Sequence, residues 1–191
     1  MPVCEWRVVI GFAIAVYVSS TNLDLRAEPT VSPQYLGTLY APYDPPVKVS
    51  TGLSVYTISS ARDAYFRGPN IDSRPIPPCA DWYRAMTKDS FVIDVRCLLQ
   101  TEDGAIIYME MQGTFQPSDA YWEECRKGKI VEGRHITARP RVSFLTDSER
   151  YRWLNAVSAF GLPVREKCSE SDYFIEYEIH SDVVNRSADP H

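Results

Sequence analysis

Residues 91–113 hold the feature that most constrains the fold of this chain: FVIDVRCLLQTEDGAIIYMEMQG, two alternating runs around Asp103-Gly104. Alternation of apolar and polar side chains with a period of two is typical of a half-buried β-strand. An Asp-Gly pair between two such runs predicts a β-hairpin. The segment therefore predicts two adjacent antiparallel strands, and with them an antiparallel sheet as the framework of the fold.

The loop length decides which residues of the hairpin face each other. A two-residue loop at Asp103-Gly104 would pair Cys97 with Glu110 and mix polar and apolar side chains on both faces. A three-residue loop, Glu102-Asp103-Gly104, pairs Arg96 with Glu110 and sorts the two faces. Because such sorting fixes strand register, we predict the three-residue loop with its glycine in the left-handed conformation.

This register gives the hairpin one apolar face and one polar face. The apolar face comprises Ile93, Val95, Cys97, Leu99, Ile107, Met109 and Met111. The polar face, called here the polar row, comprises Asp94, Arg96, Gln100, Tyr108, Glu110 and Gln112. The pattern itself favours a solvated polar row whose Arg96–Glu110 pair contributes under ~1 kcal/mol. The alternative is that the polar row lines the lumen of a barrel. Burial there would shift the pKa values of its carboxyl groups into the range useful for acid–base catalysis.

The rest of the chain predicts more strands and two short helices. From residue 34 onward, short strand-like runs recur with Gly and Pro turns between them. One helix is predicted at 116–129, and a second at 146–161, where Thr146 and Glu149 form a capping box and Gly161 marks the stop. With no βαβ alternation, we predict an all-β chain: a single antiparallel β-barrel of about eight strands with one or two short helices.

The N-terminal run VVIGFAIAVYV (8–18) is too short for a membrane span, which needs ~20 residues, but suits a signal-peptide core. The predicted organisation is a signal peptide at 1–20, a linker or tail at 21–33, a β-barrel domain at 34–181 and a C-terminal tail at 182–191. We accordingly expect a protein of the secretory pathway, with the cytoplasm as the alternative.

The cysteines and a sequon are compatible with that compartment. Removal of the leader takes Cys4 away and leaves four of the five cysteines, enough for two disulfides or for four buried thiols. Asn185-Arg186-Ser187 is an N-glycosylation sequon.

Charge and motifs narrow the function classes. A net charge of −5 and a pI near 5.2 argue against a nucleic-acid partner. No His/Cys spacing of a zinc site, G-x-S-x-G elbow or Gly-rich dinucleotide fingerprint occurs, so we expect no metal and no cofactor. The expected partner is a small molecule, and apolar outer strand faces suggest a homo-oligomer.

The run from Phe66 to Gly113 resembles the uncharacterised protein family 0311, also called domain-of-unknown-function family 3237. The matching motifs are Gly68-Pro69, Pro78 to Trp82, Asp94 with Arg96, Asp103 to Tyr108, Gly113, and later Pro140, Phe144, Thr146 and YRWLN (151–155). The resemblance covers about residues 34–180, with Pro78-Cys79 where the family usually has Gly-Gly. It implies a small antiparallel β-barrel, and because shared polar residues fall on the polar row, it turns that row toward the lumen.

The resulting hypothesis is a cofactor-independent cyclase or isomerase that acts by acid–base catalysis on a small, largely apolar, natural-product-like molecule. Asp94 or Glu110 is the expected base, Arg96 the anion stabiliser and Tyr108 the acid. The expected substrate-binding residues are Tyr56, Trp82, Gln112 and Tyr177. The alternatives are a non-catalytic small-molecule-binding barrel and a structural protein.

Overall fold

The computed structural model describes residues 30–87, 89–169 and 172–185. The signal peptide predicted at 1–20 lies outside these residues, as do Arg186 and Ser187 of the sequon. Within them, no helix has both the length and the apolar character needed to cross a membrane.

Strands make up most of the described chain. The twelve strands are β1 (Thr30–Pro42), β2 (Val47–Ser50), β3 (Val55–Ser60), β4 (Tyr65–Gly68), β5 (Ile71–Thr87), β6 (Ser90–Thr101), β7 (Ile106–Pro117), β8 (Ile130–Glu132), β9 (Ile136–Ala138), β10 (Arg141–Leu145), β11 (Ala159–Ser169) and β12 (Asp172–Asn185). One α-helix, α1 (Asp119–Arg126), follows β7, and 3₁₀ helices span Gly133–His135 and Arg152–Ala156.

The strand pairings run in a closed cycle of eight antiparallel strands. The order is β5-β4-β1-β12-β11-β10-β7-β6, and β6 returns to β5. The β2–β3 hairpin continues the sheet from β5, while β8 pairs with β11 and β9 with β7. This barrel-like arrangement confirms the predicted all-β, antiparallel fold class.

The hairpin of β6 and β7 has the predicted register. Arg96 lies opposite Glu110, and Asp94 lies opposite Gln112. The three-residue loop is closed by a hydrogen bond from the Thr101 amide to the Ala105 carbonyl, 3.0 Å long. Gly104 has a φ of +83°, the left-handed conformation that glycine adopts without steric strain.

The apolar face of this hairpin forms part of the core. Val95, Cys97, Ile107, Met109 and Met111 are each at most 3% exposed. Because successive side chains of a strand point to opposite faces, this burial turns the polar row outward.

The first predicted helix exists, although it is shorter than expected. Ser118 caps α1 through its side-chain oxygen, which accepts the Tyr121 amide hydrogen at 3.2 Å. The helix ends at Arg126, and its C-terminal cap is Lys127.

The second predicted helix, 146–161, is wrong. Only the 3₁₀ helix Arg152–Ala156 forms there, and Gly161 lies within β11. Thr146 makes no capping box; its hydroxyl donates to the Ile106 carbonyl at 2.7 Å. The local capping signals are overridden by strand pairing. From Ala159 to Ser169 the chain forms β11, which pairs with β12 on one side and with β10 on the other and so completes the cycle.

Four cysteines form two disulfides, Cys79–Cys97 and Cys125–Cys168. The first joins β5 to β6, and the second ties the end of α1 to β11. Two disulfides are what an oxidising compartment permits, and secretion itself stays a prediction.

Candidate functional site

The polar row lies on the outer wall, so its predicted position in the lumen is wrong. The side chains of Arg96, Asp94 and Glu110 are 53%, 25% and 30% exposed. Arg96 donates from Nε and Nη2 to the two oxygens of Asp94, both at 3.1 Å, and its Nε lies 3.7 Å from Glu110. These hydrogen bonds raise the pKa of Arg96, which remains a solvated cation.

The other predicted residues divide between the two sides of the wall. Tyr56 and Trp82 line a shallow outer cleft of about 360 Å³ together with Asp94 and Arg96. Tyr108 also borders an outer depression, with Leu98, Ile106 and Leu145 among its neighbours. Gln112 is exposed and donates to Glu110 at 2.9 Å. Tyr177 alone among the eight predicted site residues lines the interior cavity, and it is 3% exposed.

The interior cavity, called here the lumen cavity, has a volume of about 250 Å³. Its wall combines aliphatic side chains from β6 and β7, a group of aromatic rings and two carboxyl groups, Asp81 and Glu166. The aromatic members are Tyr43, Tyr83, Phe115, Tyr121, Trp122, Tyr173 and Tyr177. Because ligand pockets for drug-sized molecules span roughly 300–1,000 Å³, this cavity suits a smaller molecule.

A larger groove of about 1,260 Å³ lies elsewhere on the molecule, between Tyr35, Asn70, Asp103 and Trp153. Its charged groups are exposed: Asp103 pairs with Arg150 at 3.0 Å, and the two side chains are 40% and 70% exposed. Solvent screens such exposed charges, and the hydrogen bond from Thr101 lowers the pKa of Asp103, so this carboxylate is a weak base near neutral pH. We therefore place the candidate chemistry in the smaller cavity, where burial raises the pKa values of two carboxyl groups.

Asp81 reaches the lumen cavity through the alternation of β5. Cys79, Asp81 and Tyr83 share the inward face, and Asp81 lies opposite Val95 of β6. Its Oδ1 accepts the Asp94 amide hydrogen at 3.3 Å. Burial raises the pKa of Asp81 from 3.8 to about 7, although this hydrogen bond lowers it in part. The side chain is enclosed by protein and keeps accessible surface toward the cavity.

Glu166 lies on β11, between Val131 of β8 and Ile175 of β12, and is 4% exposed. Its Oε1 accepts the Tyr121 hydroxyl hydrogen at 2.8 Å, and the hydroxyl of Tyr173 also favours the ionised form of this carboxyl group. Burial raises the pKa of Glu166 from 4.5 to about 7; the two hydroxyls lower it in part, and the charge of Asp81 raises it further.

Helix α1 positions Tyr121 over Glu166. The Tyr121 ring packs edge-on against Phe115 and Trp122, with centroids 4.9 and 5.2 Å away. The Cys125–Cys168 disulfide ties the helix to β11 two residues beyond Glu166, and Cys168 Sγ lies 3.4 Å from the Tyr121 hydroxyl. Burial raises the pKa of Tyr121, so its hydroxyl stays protonated and acts as a donor.

Two carboxyl groups with pKa values near 7 share one enclosed space. At neutral pH one of them can be protonated while the other is ionised, which supplies a general acid and a general base together. Across the described ranges, no three His, Cys, Asp or Glu side chains come together as a metal-ligand set.

Neither carboxyl group was among the residues predicted from the sequence. Asp81 belongs to the ADW motif that carried the resemblance, yet only Trp82 was selected from it. The inward position of Cys79 beside Cys97 is the signal that would have placed Asp81 on the same face. Glu166 lies between residues 161 and 172, where the sequence pattern predicted no strand. The direction of its side chain could therefore not be predicted.

The fold and cavity define a class: a small antiparallel, barrel-like protein with an enclosed, aromatic and acidic interior. Residues 29–181 match the family described as protein of unknown function (DUF3237), so the chain belongs to this family and the suspected membership is confirmed. A UPF0311 protein of Bradyrhizobium diazoefficiens is 28% identical over 128 residues, which are 66% of this chain and 83% of that protein.

Solved structures share the architecture. A conserved protein of unknown function from Rhodopseudomonas palustris aligns with a TM-score of 0.70 at 21% identity, over 81% of this chain and 99% of that one. A β-barrel-like protein from Acinetobacter baumannii aligns with a TM-score of 0.61 at 22% identity, over 82% of this chain and 99% of that one. A protein described as an enzyme from Penicillium herquei aligns with a TM-score of 0.55 at 21% identity, over 81% of this chain and 97% of that one. These likenesses establish the fold.

Proposed function

We propose that the protein is a cofactor-independent isomerase or cyclase that acts on a small, largely apolar organic molecule inside the lumen cavity. The observation that carries the proposal is the enclosed pair Asp81 and Glu166, whose burial raises both pKa values to about 7 in a cavity of about 250 Å³. The acid–base role that the sequence predicted for the polar row is thus proposed for two residues on the inner face of the barrel wall.

The hydrogen bonds assign the roles of the two carboxyl groups. Glu166 accepts a hydrogen bond from Tyr121, and the hydroxyls of Tyr121 and Tyr173 both favour its ionised form, so it is the proposed base. Asp81 accepts one backbone hydrogen bond, and it is the proposed acid. Glu166 takes a proton from the substrate and Asp81 delivers one to another of its atoms, so the reaction is redox-neutral. Proton return from Glu166 to Asp81, directly or through water, restores the starting state.

The cavity wall supplies the surroundings that this chemistry needs. Aliphatic side chains such as Val95 and Met111 line the cavity, so much of its wall is apolar. Desolvation strengthens electrostatic interactions between the carboxyl groups and a bound molecule. The similar fold of the Penicillium herquei enzyme supports the view that this architecture accommodates catalysis.

A proton-exchange assay tests the proposal without knowledge of the natural substrate. Cyclic ketones and β,γ-unsaturated ketones are incubated with the protein in deuterated water, and deuterium incorporation and double-bond migration are followed by NMR. The wild-type protein is expected to accelerate exchange with some of these probes. Glu166→Gln is expected to lower that rate by about 10²–10⁴-fold, the usual contribution of a general base.

Matched controls come from the outer wall. Asp94→Asn removes a carboxylate on the neighbouring strand, and Arg96→Gln removes the cation that pairs with it. Both are expected to retain the wild-type exchange rate. Loss of exchange in Asp94→Asn with full activity in Glu166→Gln would return the chemistry to the polar row. Binding of the ketones without any exchange would favour the non-catalytic binding barrel.

A further inference from the structure

The lumen cavity has acidic groups without a matching internal cation. Within the described part of the chain, its lining includes one basic side chain, Lys48, which is exposed at the rim. The titratable groups that face the cavity are Asp81 from β5, Glu166 from β11, Lys48 from β2, and Tyr43, Tyr83, Tyr121, Tyr173 and Tyr177. Burial raises the pKa of each of these tyrosines, so none of them adds a charge near neutral pH.

One oxygen of Asp81 is free to bind a ligand. Among the described residues, the hydrogen bond to this side chain comes from the Asp94 amide and ends on Oδ1. Oδ2 has no donor within residues 30–87, 89–169 and 172–185, and the side chain keeps surface that is accessible from the cavity. Because Asp81 is largely surrounded by protein and its Oδ2 is accessible, a donor brought by a ligand stabilises the ionised carboxylate.

The aromatic rings of the wall suit the same kind of ligand. Tyr121 and Trp122 form one side of the cavity, while Tyr43 and Tyr173, stacked with centroids 5.5 Å apart, contribute another. The faces of tyrosine and tryptophan rings attract organic cations, and the attraction grows when water is excluded. An ammonium group also offers only donors, which matches a carboxylate that accepts.

We propose that the lumen cavity takes a small organic monocation, namely an amine protonated at one nitrogen and carried on a largely apolar body. The proposal deepens the function proposed above, because it names the charge of the molecule that occupies the same cavity. With Asp81 ionised and Glu166 protonated, a single ammonium group at Oδ2 makes the cavity neutral. With a cationic substrate, Glu166 is therefore the acid, and the two roles assigned above are exchanged.

Three probes of equal size and different charge test this inference: benzylammonium, benzyl alcohol and benzoate. Binding is measured by calorimetry on the full chain. At pH 8, benzylammonium is expected to bind at least ten-fold more tightly than benzyl alcohol, and benzoate more weakly than both. The affinity for benzylammonium is expected to rise between pH 6 and pH 8 as the carboxyl groups ionise, while the affinity for benzyl alcohol stays level.

Isosteric variants locate the effect. Asp81→Asn is expected to bring benzylammonium to within about three-fold of benzyl alcohol, and Glu166→Gln to flatten its pH dependence. Glu110→Gln, a carboxylate on the outer face of the same wall, is expected to change neither. If Asp81→Asn does not fold, Glu166→Gln and the wild-type pH dependence decide the matter.

The contradicting outcomes are distinct. Equal or tighter binding of benzyl alcohol would overturn the inference and leave the proposed acid–base function standing. Preference for benzylammonium that persists when both lumen carboxyl groups are replaced would place the cation outside the cavity and overturn it as well. Absence of binding by all three probes would count against both the inference and the proposed function.

Discussion

The free energy of unfolding is expected to fall by several kcal/mol between about pH 4 and pH 8, and the double variant Asp81→Asn/Glu166→Gln is expected to lose most of that dependence. Burial raises both carboxyl pKa values to about 7 from 3.8 and 4.5. The folded state therefore keeps protons that the unfolded chain releases. This contribution is fully present below the unfolded pKa values and is lost as the pH rises through about 7.

The size of this fall in the free energy of unfolding follows from the difference in proton affinity between the folded and unfolded states. Each tenfold change in proton affinity corresponds to ~1.4 kcal/mol. Exposed carboxylates act in the opposite direction at lower pH: hydrogen bonds from Thr101 and Lys127 lower the pKa values of Asp103 and Glu123, so their contribution is lost as the pH falls. The range from about pH 5 to pH 8 therefore isolates the lumen pair.

Urea unfolding at several pH values measures this effect. Glu110→Gln, on the outer wall, is the matched control and is expected to keep the wild-type slope over the same range, whereas the charge of Asp94 itself raises the pKa of Asp81. The double variant is expected to be more stable than the wild type near pH 8, because it buries no carboxylate. A wild-type stability that is level or rising from pH 5 to pH 8 would contradict the burial of two carboxyl groups.

Filling the lumen cavity is expected to abolish binding while the fold is retained. Val95 lines the cavity and is 3% exposed, so Val95→Phe places a larger ring into a space of about 250 Å³. We expect at least a ~100-fold loss of probe binding and ketone exchange, since a pocket of this size is close to the lower limit for small-molecule sites.

The control for this variant lies three residues away on the same strand. Val92 borders the outer cleft with Trp82 and Arg84, and Val92→Phe makes the same chemical change on the opposite face of β6. It is expected to leave binding and exchange unchanged. Near-ultraviolet circular dichroism verifies that both variants fold. Equal losses in both, or a loss in Val92→Phe alone, would place the site on the outer wall.

The hairpin register was predictable because it depends on local information. One register sorts polar from apolar side chains, and the structure has that register from Phe91 to Gln100 on β6. The direction of the two faces is a different matter, because it depends on what the remaining strands cover. The pattern favoured a solvated polar row, and only the family resemblance turned it inward; the structure agrees with the pattern.

The candidate site was missed for a physical reason. Asp81 and Glu166 are polar residues on inward faces, where alternation predicts apolar side chains. Positions that break local rules are frequent at functional sites, because the chemistry requires what stability disfavours. Glu166 had a second obstacle: the capping signals around Thr146 predicted a helix, and β11 became recognisable only from its pairing with β12.

A carboxyl-carbon NMR titration of the wild-type protein tests the central claim most directly, because it reads the protonation of each side chain in the lumen cavity. The Asp81→Asn and Glu166→Gln variants assign the two signals. Both carboxyl groups are expected to titrate near pH 7, and Val95→Phe is expected to change their response to added probe. Titration of both groups below about pH 5 would contradict an enclosed acid–base pair and the function built on it.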